Sequence, residues 1–234
     1  MKHIRITQEF WTLFPEARVA VVCLTGIRNT GSHPRIEEEL RCANEKAVQY
    51  LEKEIFSENP AVAVWRDAYR RFKTKKGVRS SIENLLKRVE KGNPVSTINP
   101  LVDLYNAISL EYGLPCGGED IDTLQGDLLL TLANGGESFL ALGDEAEDPA
   151  LPGEVVYKDD LGIVCRCWNW RDGIRTMLTE QTSNALLVME SVDPGRHEAL
   201  VEAARQLSER AVRCLGGESR IKILDRNDSA FPLL

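Results

Sequence analysis

Helix-start signals and strand-like segments fall in different parts of this chain. A polar residue that can cap a helix stands directly before a proline at four places, which are His33-Pro34, Asn59-Pro60, Asn99-Pro100 and Asp193-Pro194. Proline suits the first helical turn because the N–H that it lacks has no helical partner there. These pairs predict four helix starts, and the capping-box spacing of Ser80 and Glu83 predicts another helix near Ser81.

Most of the strand-like segments lie in the second half of the chain. They span 18–24, 127–133, 138–142, 154–158, 163–168, 184–189 and 221–224. Helices dominate early and strands late, without the steady alternation that a doubly wound parallel sheet requires. We therefore predict an α+β fold with a core of mixed and antiparallel β-sheet and flanking helices. No segment resembles a flexible tether, so we expect one domain spanning 1–234.

Composition and the first twenty residues limit where the protein works. No secretory leader and no apolar run of membrane-spanning length is present, and we expect a soluble cytoplasmic protein. The six cysteines show no regular framework, which favours reduced thiols. With three histidines and no phosphate-binding loop or nucleophile elbow, we predict neither a metal nor a cofactor.

Charge is unevenly distributed along the chain. The net charge of −7 argues against a surface that binds nucleic acid everywhere. Between Arg66 and Lys91, however, ten Lys or Arg stand against three Asp or Glu. This stretch is either a confined phosphate-contacting face or a solvated pair of helices. The candidate RNA contacts are Arg70, Arg71, Lys75, Lys76 and Arg79.

Glu190 follows the apolar run Ala185–Met189, which has the length of a buried strand. We expect its carboxylate to leave the core where that strand ends. A carboxylate placed there needs a partner. That partner is either a ligand hydroxyl or amine, or an Arg or backbone N–H that makes Glu190 structural, and the sequence leaves both open.

Two further motifs can line a pocket. Trp168-Asn169-Trp170 would send its two indoles to opposite faces of a continuing strand, one into the core and the other into a cleft. Gly117-Gly118 predicts a simple turn, or a place where backbone N–H groups hold a carbonyl or an oxyanion.

Two segments resemble the editing domain of the phenylalanyl-tRNA synthetase β subunit, and especially its free-standing relatives, over residues 99–194. The first segment holds Asp103, Asn106 and Leu110-Glu111-Tyr-Gly113-Leu-Pro115. The second holds Gly173 and Thr179-Glu-Gln-Thr182-Ser-Asn184-Ala-Leu186-Leu187, followed by Glu190 and Pro194.

The resemblance implies that the protein binds the aminoacylated acceptor end of tRNA and hydrolyses a misattached aminoacyl ester. In this family Asn106 would border the amino-acid site, and Glu190 would bind the phenolic hydroxyl of tyrosine. The implied contacts to the amino-acid moiety are Asn106, Gly117, Gly118, Trp168, Asn169, Trp170, Gly173 and Glu190.

This chain departs from the family at two places. Gly117 stands where the family has His, and Trp168-Asn169-Trp170 stands where the family has small residues. The sequence therefore leaves open whether the protein is an enzyme and names no catalytic residue. A non-catalytic RNA- or amino-acid-binding module with the same pocket is the main alternative, and a hydrolase of small esters or amides unrelated to tRNA is another.

Overall fold

A computed structural model describes residues 2–234, and in this range the chain forms six α-helices and ten strands. The helices are α1 (Gln8–Leu13), α2 (Pro34–Lys46), α3 (Pro60–Tyr69), α4 (Ser81–Glu90), α5 (Pro100–Tyr112) and α6 (His197–Leu215). The strands are β1 (His3–Ile6), β2 (Arg18–Thr25), β3 (Cys116–Asp120), β4 (Leu128–Leu132), β5 (Val155–Lys158), β6 (Ile163–Arg166), β7 (Arg171–Asp172), β8 (Ala185–Ser191), β9 (Glu218–Leu224) and β10 (Ala230–Pro232).

The predicted helix starts are confirmed. Helices α2, α3 and α5 each begin at the proline of a cap-proline pair, and the Ser80 hydroxyl accepts the Glu83 N–H ahead of α4. Pro194 opens a short 3-10 turn that leads into α6. Helix α5 ends at Gly113, whose φ of 59° is a conformation that glycine adopts without steric cost.

The strands form two sheets. The first sheet has the order β10-β1-β4-β5-β6-β7 and is mixed, because β1 and β4 run parallel while its other neighbours are antiparallel. The second sheet has the order β3-β8-β2-β9 and is antiparallel throughout. The predicted fold class, mixed and antiparallel sheet with flanking helices, is confirmed.

The second sheet contributes to two hydrophobic cores. One core contains alternate residues of β2 together with residues of the first sheet; these β2 residues are Val19, Val21 and Cys23. The intervening residues, Ala20, Val22 and Leu24, join α5 and α6 in the other. Strand β8 is likewise buried on both faces, which explains its unbroken apolar run.

Some strand predictions were wrong. The segment 138–142 forms no strand, and Ala141 makes only an isolated bridge to Gly173. Strand β6 ends at Arg166 rather than Trp168. Strand β3 was missed because Cys-Gly-Gly-Glu-Asp holds none of the residues that favour strands. Within residues 2–234, no helix combines the length and the apolar character that a membrane crossing requires.

Candidate functional site

A small cavity of about 60 Å³ lies between the two sheets. Strands β3 and β8 of the second sheet form one wall, and β4, β5, β6 and β7 of the first sheet form the other. The turn 167–170 and the start of α4 complete the lining. The lining residues are Ser81, Cys116, Gly117, Gly118, Glu119, Leu128, Tyr157, Cys165, Trp168, Asn169, Trp170, Asp172, Val188 and Glu190. Half-buried residues form its mouth, namely Ser81, Gly117, Trp170 and Asp172.

Glu190 lies deep in this cavity and does not leave the core. It falls inside β8 on the same face as Leu186 and Val188, so its side chain points between the sheets and is only 2% exposed. Both of its carboxyl oxygens have partners in the protein. The Tyr157 hydroxyl donates to one at 2.8 Å, and the Asn169 amide donates to the other at 3.2 Å.

These contacts occupy the carboxyl oxygens with which Glu190 would bind the phenolic hydroxyl of a tyrosine ligand. Tyr157 places the protein's own phenolic hydroxyl on the carboxyl group that would bind the hydroxyl of a tyrosine ligand. Burial raises the pKa of Glu190 to about 8, so the group is largely protonated at pH 7. A tyrosine ligand would have to displace Tyr157 or Asn169.

Two more acids share the cavity. Glu119 is 5% exposed, and Asp172 is half-buried at the mouth. Burial raises the pKa of both carboxyl groups, and the charge of Asp172 adds to the effect on Glu119. No Lys, Arg or His in the described part of the chain, residues 2–234, lines the cavity. Among residues 2–234, no three His, Cys, Asp or Glu are grouped so as to hold a metal ion.

The turn that closes the cavity has an unusual backbone. Cys167 and Trp168 have φ values of 45° and 66°, in the left-handed region that bulky residues rarely adopt. The fully buried Glu154 holds this turn, because its carboxylate accepts the Cys167 N–H at 3.0 Å and pairs with Arg166 at 2.6 Å. The backbone N–H of Trp168 also donates to the Val155 carbonyl.

The prediction that Trp168-Asn169-Trp170 continues a strand was wrong, because these residues form this turn. Trp168 is fully buried, with its ring centroid 4.7–5.0 Å from those of Phe10, Phe14 and Trp65, so it fills the core. Trp170 is half-buried at the mouth of the cavity. The two indoles therefore differ in environment because of the turn and not because of strand alternation.

The paired glycines lie in β3 rather than in a turn. A Cβ atom added at Gly117 would meet nothing closer than the Asp172 Oδ1 atom at 3.9 Å, so this position has room for a side chain. At Gly118 the added atom would stand 2.6 Å from Leu187 and 2.7 Å from Leu178. A side chain at Gly118 would therefore force both leucine side chains to shift, whereas Gly117 has open space beside it at the mouth of the cavity.

Two residues that the resemblance assigns to the amino-acid site do not line this cavity. Asn106 is buried on α5, and its neighbour Tyr105 is the residue near the cavity acids, because successive helical residues point about 100° apart. Burial raises the pKa of the Tyr105 phenol, and the charges of Asp172 and Glu119 add to this. The Gly173 N–H donates to the Val164 carbonyl at 2.8 Å, and a Cβ atom added at Gly173 would stand 3.3 Å from the Phe139 ring.

The sequence reasoning did not single out four polar residues of the cavity, namely Ser81, Glu119, Tyr157 and Asp172. Two signals could have pointed to them. Residues two apart in a strand point to the same face. Glu119 therefore shares a face with Gly117 in a strand, and Asp172 shares one with Trp170. Tyr157 had no local signal, because only the packing of the two sheets brings it to Glu190.

A basic groove of about 280 Å³ lies beside the cavity and is lined by Arg66, Tyr69, Arg70, Thr74, Lys75, Gly77, Val78, Arg79 and Glu83. The groove and the cavity adjoin, because the Tyr69 hydroxyl donates to the Asn169 side chain at 2.8 Å. The Ser81 N–H also donates to the Asn169 carbonyl.

Most of the candidate RNA-contacting residues already have partners. Arg70 pairs with Asp67, Lys75 pairs with Asp148, and Arg79 lies 3.7 Å from Glu83. Arg71 donates to the Leu13 carbonyl and lies over the Phe14 ring. Lys76 is exposed and forms no ion pair within residues 2–234.

Together these features define an α+β domain in which a buried acidic cavity between two sheets opens beside a basic groove. The B3/4 domain family matches residues 64–218, which include every lining residue of both sites, and the chain belongs to that family.

Several curated relatives are phenylalanine–tRNA ligase β subunits. The chain is 31% identical over 116 residues to the subunit of Cutibacterium acnes and 30% identical over 120 residues to that of Leifsonia xyli. These alignments cover 47% and 48% of this chain but only 14% of each relative. The subunit of Nocardia farcinica is 31% identical over 56% of this chain and 16% of its own length.

The fold also matches a solved structure. An N-terminal fragment of the phenylalanyl-tRNA synthetase β subunit from Pyrococcus horikoshii superposes with a TM-score of 0.51. The match covers 93% of this chain and 50% of that one at 13% identity, so it shows a shared fold. The resemblance found in the sequence is confirmed.

Proposed function

We propose that the protein binds the acceptor end of an aminoacylated tRNA and hydrolyses a wrongly attached aminoacyl ester. The observation that carries this proposal is the contact between the basic groove and the acidic cavity through Tyr69 and Asn169. A strand of RNA lying in the groove would bring its terminal ester to the mouth of the cavity. The family match supports the same assignment.

The mouth offers groups suited to ester hydrolysis. Strand β3 is at the edge of its sheet, and edge strands present backbone N–H groups outside the ladder. Residues 176–177 cover the Glu119–Asp120 end of this edge, whereas no named strand within residues 2–234 lies beyond it near Gly117. In this proposal, backbone N–H groups near Gly117 stabilise the oxyanion formed when water adds to the ester carbonyl. The bond to the ribose oxygen then breaks, and that oxygen takes a proton, leaving a free amino acid and a tRNA hydroxyl.

The test is a panel of tRNAs charged with different amino acids, incubated with purified protein. We expect first-order deacylation well above the rate in buffer for at least one amino acid. The exposed Lys76 stands between the groove residues Lys75 and Gly77. Replacing it by Glu should slow this reaction at low tRNA concentration, because a negative charge beside the groove would repel the RNA backbone. Lys53→Glu, an exposed position outside the basic segment 66–91, is the matched control. Deacylation at the buffer rate for every tRNA would overturn the proposal.

A second candidate function is a binding module that senses an amino acid without hydrolysing anything. The observation that favours it is the absence of a side chain at Gly117, where the resemblance implies an imidazole. A thermal-shift comparison distinguishes the two functions. Stabilisation by free amino acids, without any response to charged tRNA, would favour the binding module.

A further inference from the structure

Three polar atoms that face the cavity have no hydrogen-bond partner within residues 2–234. They are the Ser81 hydroxyl, the Oε2 atom of Glu119 and the indole nitrogen of Trp168. The Trp168 indole lies near Glu190 and Tyr157 without a well-formed hydrogen bond, and the Thr176 hydroxyl, which also has no partner in this range, lies near Glu119 and lowers the pKa of its carboxyl group. Glu119 and Trp168 are both more than nine-tenths buried. Buried polar groups without partners are costly and uncommon in folded proteins. Three of them around one hollow indicate that this hollow receives a polar group.

The charges around the cavity indicate which polar group fits. The three ionisable carboxyl groups are Glu119, Asp172 and Glu190, and no cationic side chain joins them. Arg175, the cation whose charge reaches Glu119, is paired with Asp159 at 2.7 Å and does not line the cavity. A cation a few ångströms from these carboxyl groups would offset the cost of ionising them.

The three acids are not equivalent. Both oxygens of Glu190 accept hydrogen bonds from protein groups, whereas one oxygen of Glu119 accepts none. Asp172 lies at the mouth, where its carboxylate approaches Gly117. Glu119 is therefore the primary acceptor for an incoming donor, and Asp172 is placed to support it.

The size of the cavity sets a second limit. A volume of about 60 Å³ is far below the roughly 300 Å³ at which typical ligand pockets begin. Trp168 cannot move aside easily, because it packs against Phe10, Phe14 and Trp65. A group of a few heavy atoms fits this cavity, whereas an aromatic side chain does not.

We infer that the cavity binds a small primary ammonium group through Glu119 and Asp172. The identity of this group rests on the function proposed above: it is the α-ammonium of an aminoacyl ester with a short side chain, such as alanine or serine. A free small amino-acid ester and the charged end of a tRNA present the same chemistry.

The test measures binding of L-alanine methyl ester by isothermal titration calorimetry at pH 6.5, where its amine is protonated. Two reference ligands accompany it. Methyl propionate has the same shape without the ammonium group, and L-phenylalanine methyl ester keeps that group but carries a large ring. We expect each reference ligand to bind at least tenfold more weakly than the alanine ester.

Variants test the acceptor itself. Glu119→Gln should weaken binding of the alanine ester at least tenfold, while Glu180→Gln, an exposed acid outside the cavity, should leave it unchanged. If Glu119→Gln does not fold, as judged by its melting curve, Asp172→Asn takes its place with a smaller expected loss. Equal binding of methyl propionate, or full affinity in both acid variants, would overturn the inference.

A parallel arm with charged tRNAs separates this inference from the proposed function. Binding of the alanine ester without deacylation of any tRNA would overturn the proposed function and leave the ammonium site standing. Deacylation that prefers tyrosyl-tRNA and does not respond to Glu119→Gln would overturn the ammonium site and leave the proposed function standing.

Discussion

At the scale of single residues, Glu190 shows how burial changes a carboxyl group. Its usual pKa of 4.5 rises to about 8 between the sheets, mainly because burial disfavours the charged form. The Tyr157 and Asn169 hydrogen bonds act in the opposite direction and do not cancel the effect of burial. The folded protein therefore retains a proton that the unfolded chain releases above about pH 4.5.

This retained proton predicts a pH-dependent difference between the wild type and Glu190→Gln. As pH rises from about 4.5 to 8, the free energy of unfolding of the wild type should fall relative to that of the variant, by up to about 1.4 kcal/mol per pH unit. Above pH 8 the difference should level off. Urea unfolding at pH 5, 6.5 and 8 measures it, and two curves that stay parallel across this range would contradict the prediction.

At the scale of elements, the turn 167–170 depends on a buried ion pair. Glu154→Ala should lower the free energy of unfolding by about 3 kcal/mol, because it leaves the buried Arg166 with Asp148 as its remaining ionic partner and removes the acceptor of the Cys167 N–H. Asp144→Ala breaks a half-exposed pair with Arg171 and should cost about 1 kcal/mol or less. Chemical denaturation compares the two variants, and a similar small cost for both would show that Glu154 does not hold the turn.

The elements also show what could be predicted from the sequence. Helices α2, α4 and α5 carry their start signals within a few residues, and β8 carries an apolar run, so local patterns were enough. The turn at Cys167 and Trp168 was not predictable in this way, because the acid that holds it comes from thirteen residues earlier in the chain. Strand β3 pairs with a partner about seventy residues away, which compensates for its poor strand propensity.

The same distinction applies to the candidate site, where residues with a local sequence signal could be predicted and residues brought in by tertiary packing could not. Glu190, Asn169 and the glycines stood out by their local sequence. Their partner Tyr157 comes from the other sheet, and its contact with Glu190 depends on how the two sheets stack. Asn106 does not line this cavity, because a motif match does not specify which helical face turns toward it, and its assignment to the amino-acid site stays a prediction.

At the scale of the whole molecule, an acidic chain with one basic groove should bind RNA weakly and in a salt-sensitive way. We expect tRNA affinity to fall as salt rises, and Lys76→Ala to weaken binding and reduce the slope of log K against log salt by about one. Lys53→Ala, outside the basic segment 66–91, should change neither quantity. Fluorescence anisotropy with labelled tRNA at several salt concentrations measures both. An unchanged slope in Lys76→Ala would show that this lysine contacts no phosphate.

The second sheet places a hydrophobic core directly behind the cavity wall. Strands β3 and β8 present Glu119 and Glu190 to the cavity, while their opposite faces pack on α5 and α6. These two carboxyl groups therefore lie on strands whose opposite faces are held by packed helices. Strands packed in this way resist rearrangement when a ligand binds. The fixed shape of the cavity would therefore contribute to selectivity for small ligands as much as its charged groups would.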